Sequence, residues 1–137
     1  MVSRCCLCCS DGETVDHLLL HCSFSHGLWS FLFRSFHVNW VMPRNVKDLL
    51  FGWRNWFGKH HSDIWNLAPL CLMWTLWLER NSRIFEDILC STDQILEKFA
   101  SSLFDWSRVW GFSTANCVAD FIVSLNSMSV SDSPSIL

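Results

Sequence analysis

The 137-residue chain has no tyrosine, only three prolines and five glycines, and few charged side chains. Charged residues make up 17% of the chain and apolar residues 50%, and this balance excludes a disordered acidic or basic tail. The net charge of −3 excludes a purely electrostatic nucleic-acid binder and a polybasic membrane-surface protein. The composition therefore predicts one globular domain that is large enough to bury a core.

Long apolar runs are also missing. No apolar stretch follows Arg4, so we expect no secretory signal. The longest apolar run covers residues 64–78, which is 15 residues, whereas a membrane-spanning helix needs about 20. We therefore expect an intracellular protein without a membrane partner, whose cysteines are reduced or metal-bound rather than paired in disulfides.

The sequence patterns of common enzymes are absent as well. There is no Asp-Asp pair to hold the metal ions of a polymerase, no pair of carboxylates suited to hydrolysis, no nucleophile elbow and no glycine-rich phosphate loop. The His-x-Glu and Pro-Cys-x-x-Cys pattern of zinc deaminases is missing too. We therefore expect a protein that is not an enzyme and has no small-molecule substrate.

Cysteine, in contrast, is abundant, and five of the eight cysteines lie within the first 22 residues. Cys5, Cys8, His17 and Cys22 form the spacing C-x2-C-x8-H-x4-C. Thiolate and imidazole ligands of this kind suit Zn²⁺, which takes four of them in closed structural sites. The spacing therefore predicts one structural zinc ion.

The spacing alone leaves the ligand set open. Cys6 and Cys9 repeat the two-residue spacing, and His21 lies one helical turn after His17. Residues five apart on an α-helix are about 140° out of phase. For His17 and Cys22 to bind one ion, we therefore expect the helix between them to loosen or to end near Cys22.

Two segments resemble a known family. Residues 5–8 (CCLC) and 13–22 (ETVDHLLLHC) resemble the C-x-L-C and E-T/S-x-x-H-L…H-C patterns in the zinc-binding region of plant non-LTR retrotransposon reverse transcriptases. Residues 74–85 (WTLWLERNSRIF) resemble the W-x-x-W-x-E-R-N-x-R-x-F segment of that family. The resemblance extends over most of residues 4–112.

The resemblance implies that Cys5, Cys8, His17 and Cys22 are the zinc ligands, because Leu7 then occupies its usual place in the motif. It implies an accessory segment behind a polymerase, which binds RNA or DNA and has no polymerase activity of its own. Members of the family carry apolar, Trp-containing sequence before the first ligand, and here only four residues precede Cys5. The resemblance thus implies a domain truncated at its N-terminus. A protein-interaction or scaffold module and an inert retroelement relic are the alternatives.

Hydrophobic periodicity predicts an all-α fold, a small helical bundle with an N-terminal zinc-binding hook over residues 5–22. Thr14 is expected to cap a short helix in the hook, and Ser91-x-x-Gln94 forms a capping box ahead of a helix that ends at Gly111. The other helices are expected over residues 24–36, 46–57, 63–85 and 117–125. The domain then covers residues 1–125, and the Ser-rich residues 126–137 are expected to be disordered.

Several side chains are assigned to the core or to the surface from the same patterns. Glu79 and Arg83 have the spacing of an exposed i,i+4 ion pair. The isolated cysteines are expected to be buried: Cys71, Cys90 and Cys117. Four tryptophans are also expected in the core: Trp53, Trp56, Trp74 and Trp77. The remaining histidines are expected in solvent rather than on a metal: His26, His37, His60 and His61.

Positive charge is concentrated between residues 34 and 59. Only Asp48 opposes five cations there, and aromatic residues lie between them. Cations interleaved with aromatic rings suit phosphate contacts and stacking on unpaired bases. An ordinary helix with its aromatic side chains in the core and its charges in water would carry the same pattern. The candidate phosphate-contacting residues are Arg34, Arg44, Lys47, Arg54 and Lys59.

Overall fold

The computed structural model describes residues 4–9, 12–36, 38, 39, 41–57, 63–111 and 115–127, with the side chains of 54–57, 63 and 124–127 outside that description. Within these residues the protein is all-α, as the sequence predicts, and one antiparallel bridge joins Arg4 to Gly12. The α-helices are α1 (Ser23–Ser35), α2 (Val46–Phe57), α3 (Asp63–Asn81), α4 (Thr92–Val109) and α5 (Val118–Ser127). Two π-helical turns, His17–His21 and Ser82–Glu86, precede α1 and follow α3.

The predicted helices are confirmed, with shifts at some ends. The capping box of α4 is formed, since the Gln94 N–H donates to Ser91 Oγ at 3.2 Å and the Ser91 N–H donates to Gln94 Oε1 at 2.8 Å. Gly111 follows α4 with a φ of 74°, a backbone angle that favours glycine. The helix α5 extends two residues past the expected end, to Ser127. Residues 128–137 of the expected tail lie outside the described residues.

An aromatic cluster joins α1, α2 and α3. The rings of Trp53 and Trp65 stack with centroids 4.0 Å apart, and Trp29 packs edge-on against Trp53. Pro69 lies inside α3 and has no N–H to donate to the carbonyl four residues earlier, which is that of Trp65. The indole N–H of Trp53 donates to this Trp65 carbonyl at 2.9 Å, so a polar group that Pro69 leaves free is satisfied by the core.

The helix α3 carries apolar side chains on both faces. Its inner face, with Leu72 and Leu76 fully buried, packs against α1 and α4. On its outer face Leu70, Trp74 and Trp77 are 53%, 48% and 43% exposed. The prediction that Trp74 and Trp77 are core residues is therefore wrong, because the periodicity of an apolar helix does not tell which stripe meets a neighbour. Trp53 is buried as predicted, and the side chain of Trp56 lies outside the described set.

The three isolated cysteines differ in burial. Cys71 is fully buried, and this burial raises the pKa of its thiol to about 12. Cys90 is half-buried, and Cys117 is exposed just before α5. The prediction of a buried thiol is thus confirmed for Cys71 and wrong for Cys117. No helix among the described residues has both the length and the apolar character needed to cross a bilayer.

Candidate metal centre

The side chains of Cys5, Cys8, His17 and Cys22 converge at the N-terminus. Their ligand atoms all lie within 4.8 Å of one another. Cys5 Sγ and Cys22 Sγ are 3.8 Å apart, and Cys8 Sγ and His17 Nε2 are 3.3 Å apart. These four residues therefore lie close enough to hold one metal ion.

A tight turn brings the thiols of Cys5 and Cys8, which are separated by two residues, to the same site. The Cys9 N–H donates to the Cys5 carbonyl at 2.8 Å and closes this turn. Cys9 adopts a φ of 60°, so the chain reverses there in the left-handed region that few residues other than glycine visit. Leu7 points into the core and is 3% exposed, which anchors the turn while the two thiols face the site.

The π-helical turn brings His17 and Cys22 together. Thr14 Oγ1 accepts from the His17 N–H at 3.0 Å, so Thr14 caps this turn as predicted. The Cys22 N–H donates to the His17 carbonyl at 2.7 Å, a hydrogen bond between residues five apart. Because this bond makes five residues complete about one turn, both ligands lie on the same side. The predicted loosening of the helix before Cys22 is thus confirmed.

The alternative ligands lie elsewhere. Cys6 Sγ lies 3.9 Å from Glu13 Oε1, and Cys9 is exposed. His21 is exposed, with its Nε2 2.9 Å from the Arg44 carbonyl oxygen. The geometry therefore selects Cys5, Cys8, His17 and Cys22. His26 is exposed as predicted, whereas the predictions for His37, His60 and His61 fall outside the described residues.

Burial makes it costly to deprotonate the thiols of the site unless a cation is bound. Cys5 and Cys22 are fully buried. Burial raises the pKa of the Cys22 thiol to about 12, although the Phe24 backbone N–H at the start of α1 acts in the opposite direction. A metal cation would supply the missing positive charge, because it binds the thiolate and displaces the proton.

A buried ion pair braces the turn that carries Cys5 and Cys8. Arg83 Nε donates to Glu79 Oε2 at 2.7 Å, with the side chains only 8% and 2% exposed. The same guanidinium donates through Nη1 to the carbonyls of Cys6 (3.3 Å) and Leu7 (3.2 Å). The expectation of an exposed pair is therefore wrong. Arg83 reaches across the fold to carbonyls more than seventy residues away, a contact that spacing within one helix does not reveal.

The Glu79–Arg83 pair also holds the segment that leads to α4. Arg83 Nη2 donates to the Cys90 carbonyl at 3.0 Å, and the Cys90 N–H donates to Glu79 Oε2 at 3.1 Å. Burial alone would raise the pKa of Glu79, but the hydrogen bonds from Arg83 and Cys90 outweigh it and hold this pKa below its usual value. Glu79 is therefore ionised at neutral pH and fixes both neighbours.

Two further contacts attach the hook to the helices. Arg80 donates to both carboxylate oxygens of Glu13, at 3.0 and 3.1 Å, and this bidentate pair raises the pKa of Arg80. The Val46 N–H at the start of α2 donates to Asp16 Oδ1 at 3.0 Å. The sequence patterns did not predict the roles of Glu13, Asp16 and Arg80. The E-R-N-x-R motif contains Arg80, so it could have indicated that this side chain makes a structural contact.

The predicted phosphate-contacting residues are partly described. Arg34, Arg44 and Lys47 are exposed. The His21 and Asp16 contacts place Arg44 and the start of α2 beside the hook. The side chain of Arg54 and the whole of Lys59 lie outside the described residues. Of the interleaved aromatic side chains, Phe36 and Trp53 are buried, whereas Phe51 is 73% exposed.

No protein-family model, curated protein or solved structure gave a significant match to this chain.

Proposed function

We propose that this chain is a zinc-stabilised accessory module of a retroelement reverse transcriptase, which binds nucleic acid and has no polymerase activity. The observation that carries the proposal is the meeting of Cys5, Cys8, His17 and Cys22 in one cluster. The module resembles the family named above in the ligand motif and in the segment that braces it.

Zinc is the ion that suits this donor set. Three thiolates and one imidazole are soft or borderline ligands, which favour Zn²⁺ over Mg²⁺ or Ca²⁺. A tetrahedral zinc site with usual bond lengths separates two sulfurs by roughly 3.8 Å and a sulfur from a nitrogen by roughly 3.6 Å. The separations of 3.8 Å between Cys5 Sγ and Cys22 Sγ and of 3.3 Å between Cys8 Sγ and His17 Nε2 are compatible with that geometry.

The zinc ion would have a structural role. Four protein ligands leave no open position for water or substrate, so the site supplies no Lewis-acid chemistry. Its ligands would come from the turn of Cys5 and Cys8, from the π-helical turn that begins at His17, and from Cys22, directly before α1. Zinc would therefore fix the hook against α1 and α3, and through Asp16 it would fix the start of α2.

The proposed nucleic-acid surface lies at the start of α2 beside the hook. Lys47 and Phe51 lie one turn apart on this helix, and both are exposed. Arg44 adds a second exposed cation just before the helix. A cation next to an exposed ring can contact a phosphate while the ring stacks on an unpaired base.

Fluorescence anisotropy with single-stranded RNA and DNA at several salt concentrations tests this proposal. One variant replaces all five candidates with Glu: Arg34, Arg44, Lys47, Arg54 and Lys59. We expect this five-residue variant to bind nucleic acid more weakly and with a flatter salt dependence than the wild type. The single variants Arg44→Glu and Arg108→Glu form a matched pair, because they change the charge equally at two exposed sites. Only Arg44→Glu, which lies in the proposed surface, should weaken binding. Equal affinity of the five-residue variant and the wild type would rule out the surface.

A protein-interaction module is the second candidate, because the outer face of α3 exposes Leu70, Trp74 and Trp77. Exposed aromatic side chains of this size are enriched in protein interfaces. Sedimentation of the wild type and of Trp74→Ala/Trp77→Ala over a range of concentrations separates the candidates. Self-association that the double variant loses, together with the absence of salt-dependent RNA binding, would favour the interaction module.

A further inference from the structure

A cleft on the side of α3 facing α4 lies next to the Glu79–Arg83 ion pair. It plays no part in the proposed zinc site. Its volume is about 610 Å³, which is within the range of small-molecule pockets. Thr75, Glu79, Cys90, Lys98 and Ser101 contribute to its lining. The cleft therefore combines a thiol, an ammonium group, a carboxylate and hydroxyl groups on one apolar wall.

The thiol and the ammonium group in this cleft are in contact. Lys98 Nζ is 3.1 Å from Cys90 Sγ, and this contact raises the pKa of Lys98. An ammonium group at this distance can donate a hydrogen bond to the sulfur during the reaction of cysteine, whose nucleophilic form is the thiolate. Because Cys90 is only half-buried and Lys98 is exposed, a reagent can reach the sulfur.

The carboxylate in the cleft has one unused acceptor. Glu79 is 4% exposed, and its Oε2 is occupied by Arg83 and by the Cys90 N–H. Its Oε1 is buried and has no hydrogen-bond partner among the described residues. A buried carboxylate oxygen without a donor is costly, and a ligand that brings an N–H or ammonium group would remove this cost.

We propose that Cys90 is a thiolation site, at which the cleft takes an amino-acid- or peptide-derived disulfide and Cys90 forms a mixed disulfide with half of it. The Cys90 proton passes to solvent and the thiolate attacks one sulfur of the disulfide. A new S–S bond forms, the S–S bond of the reagent breaks, and the other half leaves as a thiolate that takes up a proton. One disulfide replaces another, so no further oxidant is needed.

The chemistry of the cleft indicates this class of reagent. When Cys90 becomes part of a disulfide, its sulfur is a weaker hydrogen-bond acceptor for Lys98, which can then pair with a carboxylate of the added group. Glu79 Oε1 can accept from an amide or ammonium N–H of the same group. A disulfide that carries both a carboxylate and an N–H donor satisfies both residues, whereas an uncharged disulfide offers Lys98 no carboxylate.

The test uses the metal-loaded full-length chain with glutathione disulfide and, as an uncharged probe, bis(2-hydroxyethyl) disulfide. Peptide mass mapping over time gives a separate rate for Cys90 and for the exposed Cys117, which serves as an internal control. The variants are Lys98→Met and Lys98→Arg, and both change an exposed side chain.

With glutathione disulfide we expect Cys90 to react several-fold faster than Cys117. We expect Lys98→Met to slow Cys90 by about tenfold with glutathione disulfide, because the variant loses both the ammonium group beside the attacking sulfur and the partner of the reagent's carboxylate. With the uncharged probe only the first loss applies, and it is partly offset because a thiolate of higher pKa is more nucleophilic, so we expect a slowing of about threefold. Lys98→Arg should retain most of the rate, and the Cys117 rate should not change. Equal rates at Cys90 and Cys117, an unchanged rate in Lys98→Met, or equal effects of Lys98→Met on both probes would overturn the proposal.

Discussion

Arg83 and Glu79 form a buried ion pair that links the N-terminal hook to the helical body. The guanidinium Nε lies 2.7 Å from Glu79 Oε2, and Nη1 of the same side chain donates to the carbonyls of Cys6 and Leu7. The carbonyls lie in the turn that carries the ligands Cys5 and Cys8. The position of two candidate ligands therefore depends on a residue in the π-helical turn that follows α3.

Replacing Arg83 with Met should strongly destabilise the protein. The change leaves the Glu79 carboxylate buried without its ion-pair partner and removes the donor from the carbonyls of Cys6, Leu7 and Cys90, at an expected cost of about 3–5 kcal/mol. Urea unfolding of the metal-loaded chain, followed by circular dichroism, measures this cost.

Arg108→Met is the matched control for this substitution. Arg108 is exposed and lies over the Phe104 ring with 5.4 Å to the centroid, so its loss should cost less than about 1 kcal/mol. Equal losses in the two variants would contradict a bracing role for Arg83.

Glu79 should make stability depend on pH in the acid range. Its pKa is lowered in the folded protein, because hydrogen bonds from Arg83 and Cys90 outweigh its burial. A carboxyl of this kind stabilises the fold above its unfolded pKa of about 4.3 and loses this contribution as the pH falls through the lower folded pKa.

Comparing the wild type with Glu79→Gln isolates this contribution, since protonation of the metal ligands affects both proteins. The difference in free energy of unfolding should be constant from about pH 7 to pH 5 and should shrink below about pH 4.5. A difference that persists unchanged to pH 3 would mean that the Glu79 charge does not stabilise the fold.

Adjacent cysteines provide a test of the ligand set. Cys8→Ser should abolish tight metal binding, whereas Cys9→Ser should retain it, because Cys8 belongs to the cluster and Cys9 is exposed. The same contrast is expected between His17→Asn and His21→Asn. Metal content after dialysis measures the outcome, and loss of metal in Cys9→Ser or in His21→Asn would require a different ligand set.

The Glu13–Arg80 pair should contribute less than the Glu79–Arg83 pair. Its side chains are 16% and 21% exposed, so solvent screens the interaction, although its bidentate geometry is favourable. Glu13→Gln should cost about 1 kcal/mol in urea unfolding. A cost as large as that of Arg83→Met would show that the hook depends mainly on this contact.

Much of the fold could be predicted from the sequence because its signals are local. The capping box at Ser91 and Gln94, the glycine after α4 and the apolar periodicity of α1 and α2 each report on neighbours along the chain. The ligand spacing is also local, and it even required the loosened turn before Cys22. These features could be predicted because a few adjacent residues determine them.

The remaining features depend on contacts between distant segments. The sequence does not reveal that Arg83 meets the carbonyls of Cys6 and Leu7, so the pair with Glu79 looked like a surface interaction. Likewise, α3 is apolar on both faces, and only the packing of α1 and α4 decides that Trp74 is exposed. Cys117 lies on an apolar segment, yet it is exposed just before α5, where no other element among the described residues covers it.

The most direct test of the account measures zinc in the protein purified under reducing conditions, with helix content followed during chelation. We predict one zinc ion per chain and a loss of helical circular dichroism on chelation that added zinc restores, because the cluster of Cys5, Cys8, His17 and Cys22 couples the hook to the helices. No bound zinc, together with an unchanged spectrum in the presence of the chelator, would contradict the central claim that zinc binding stabilises this fold.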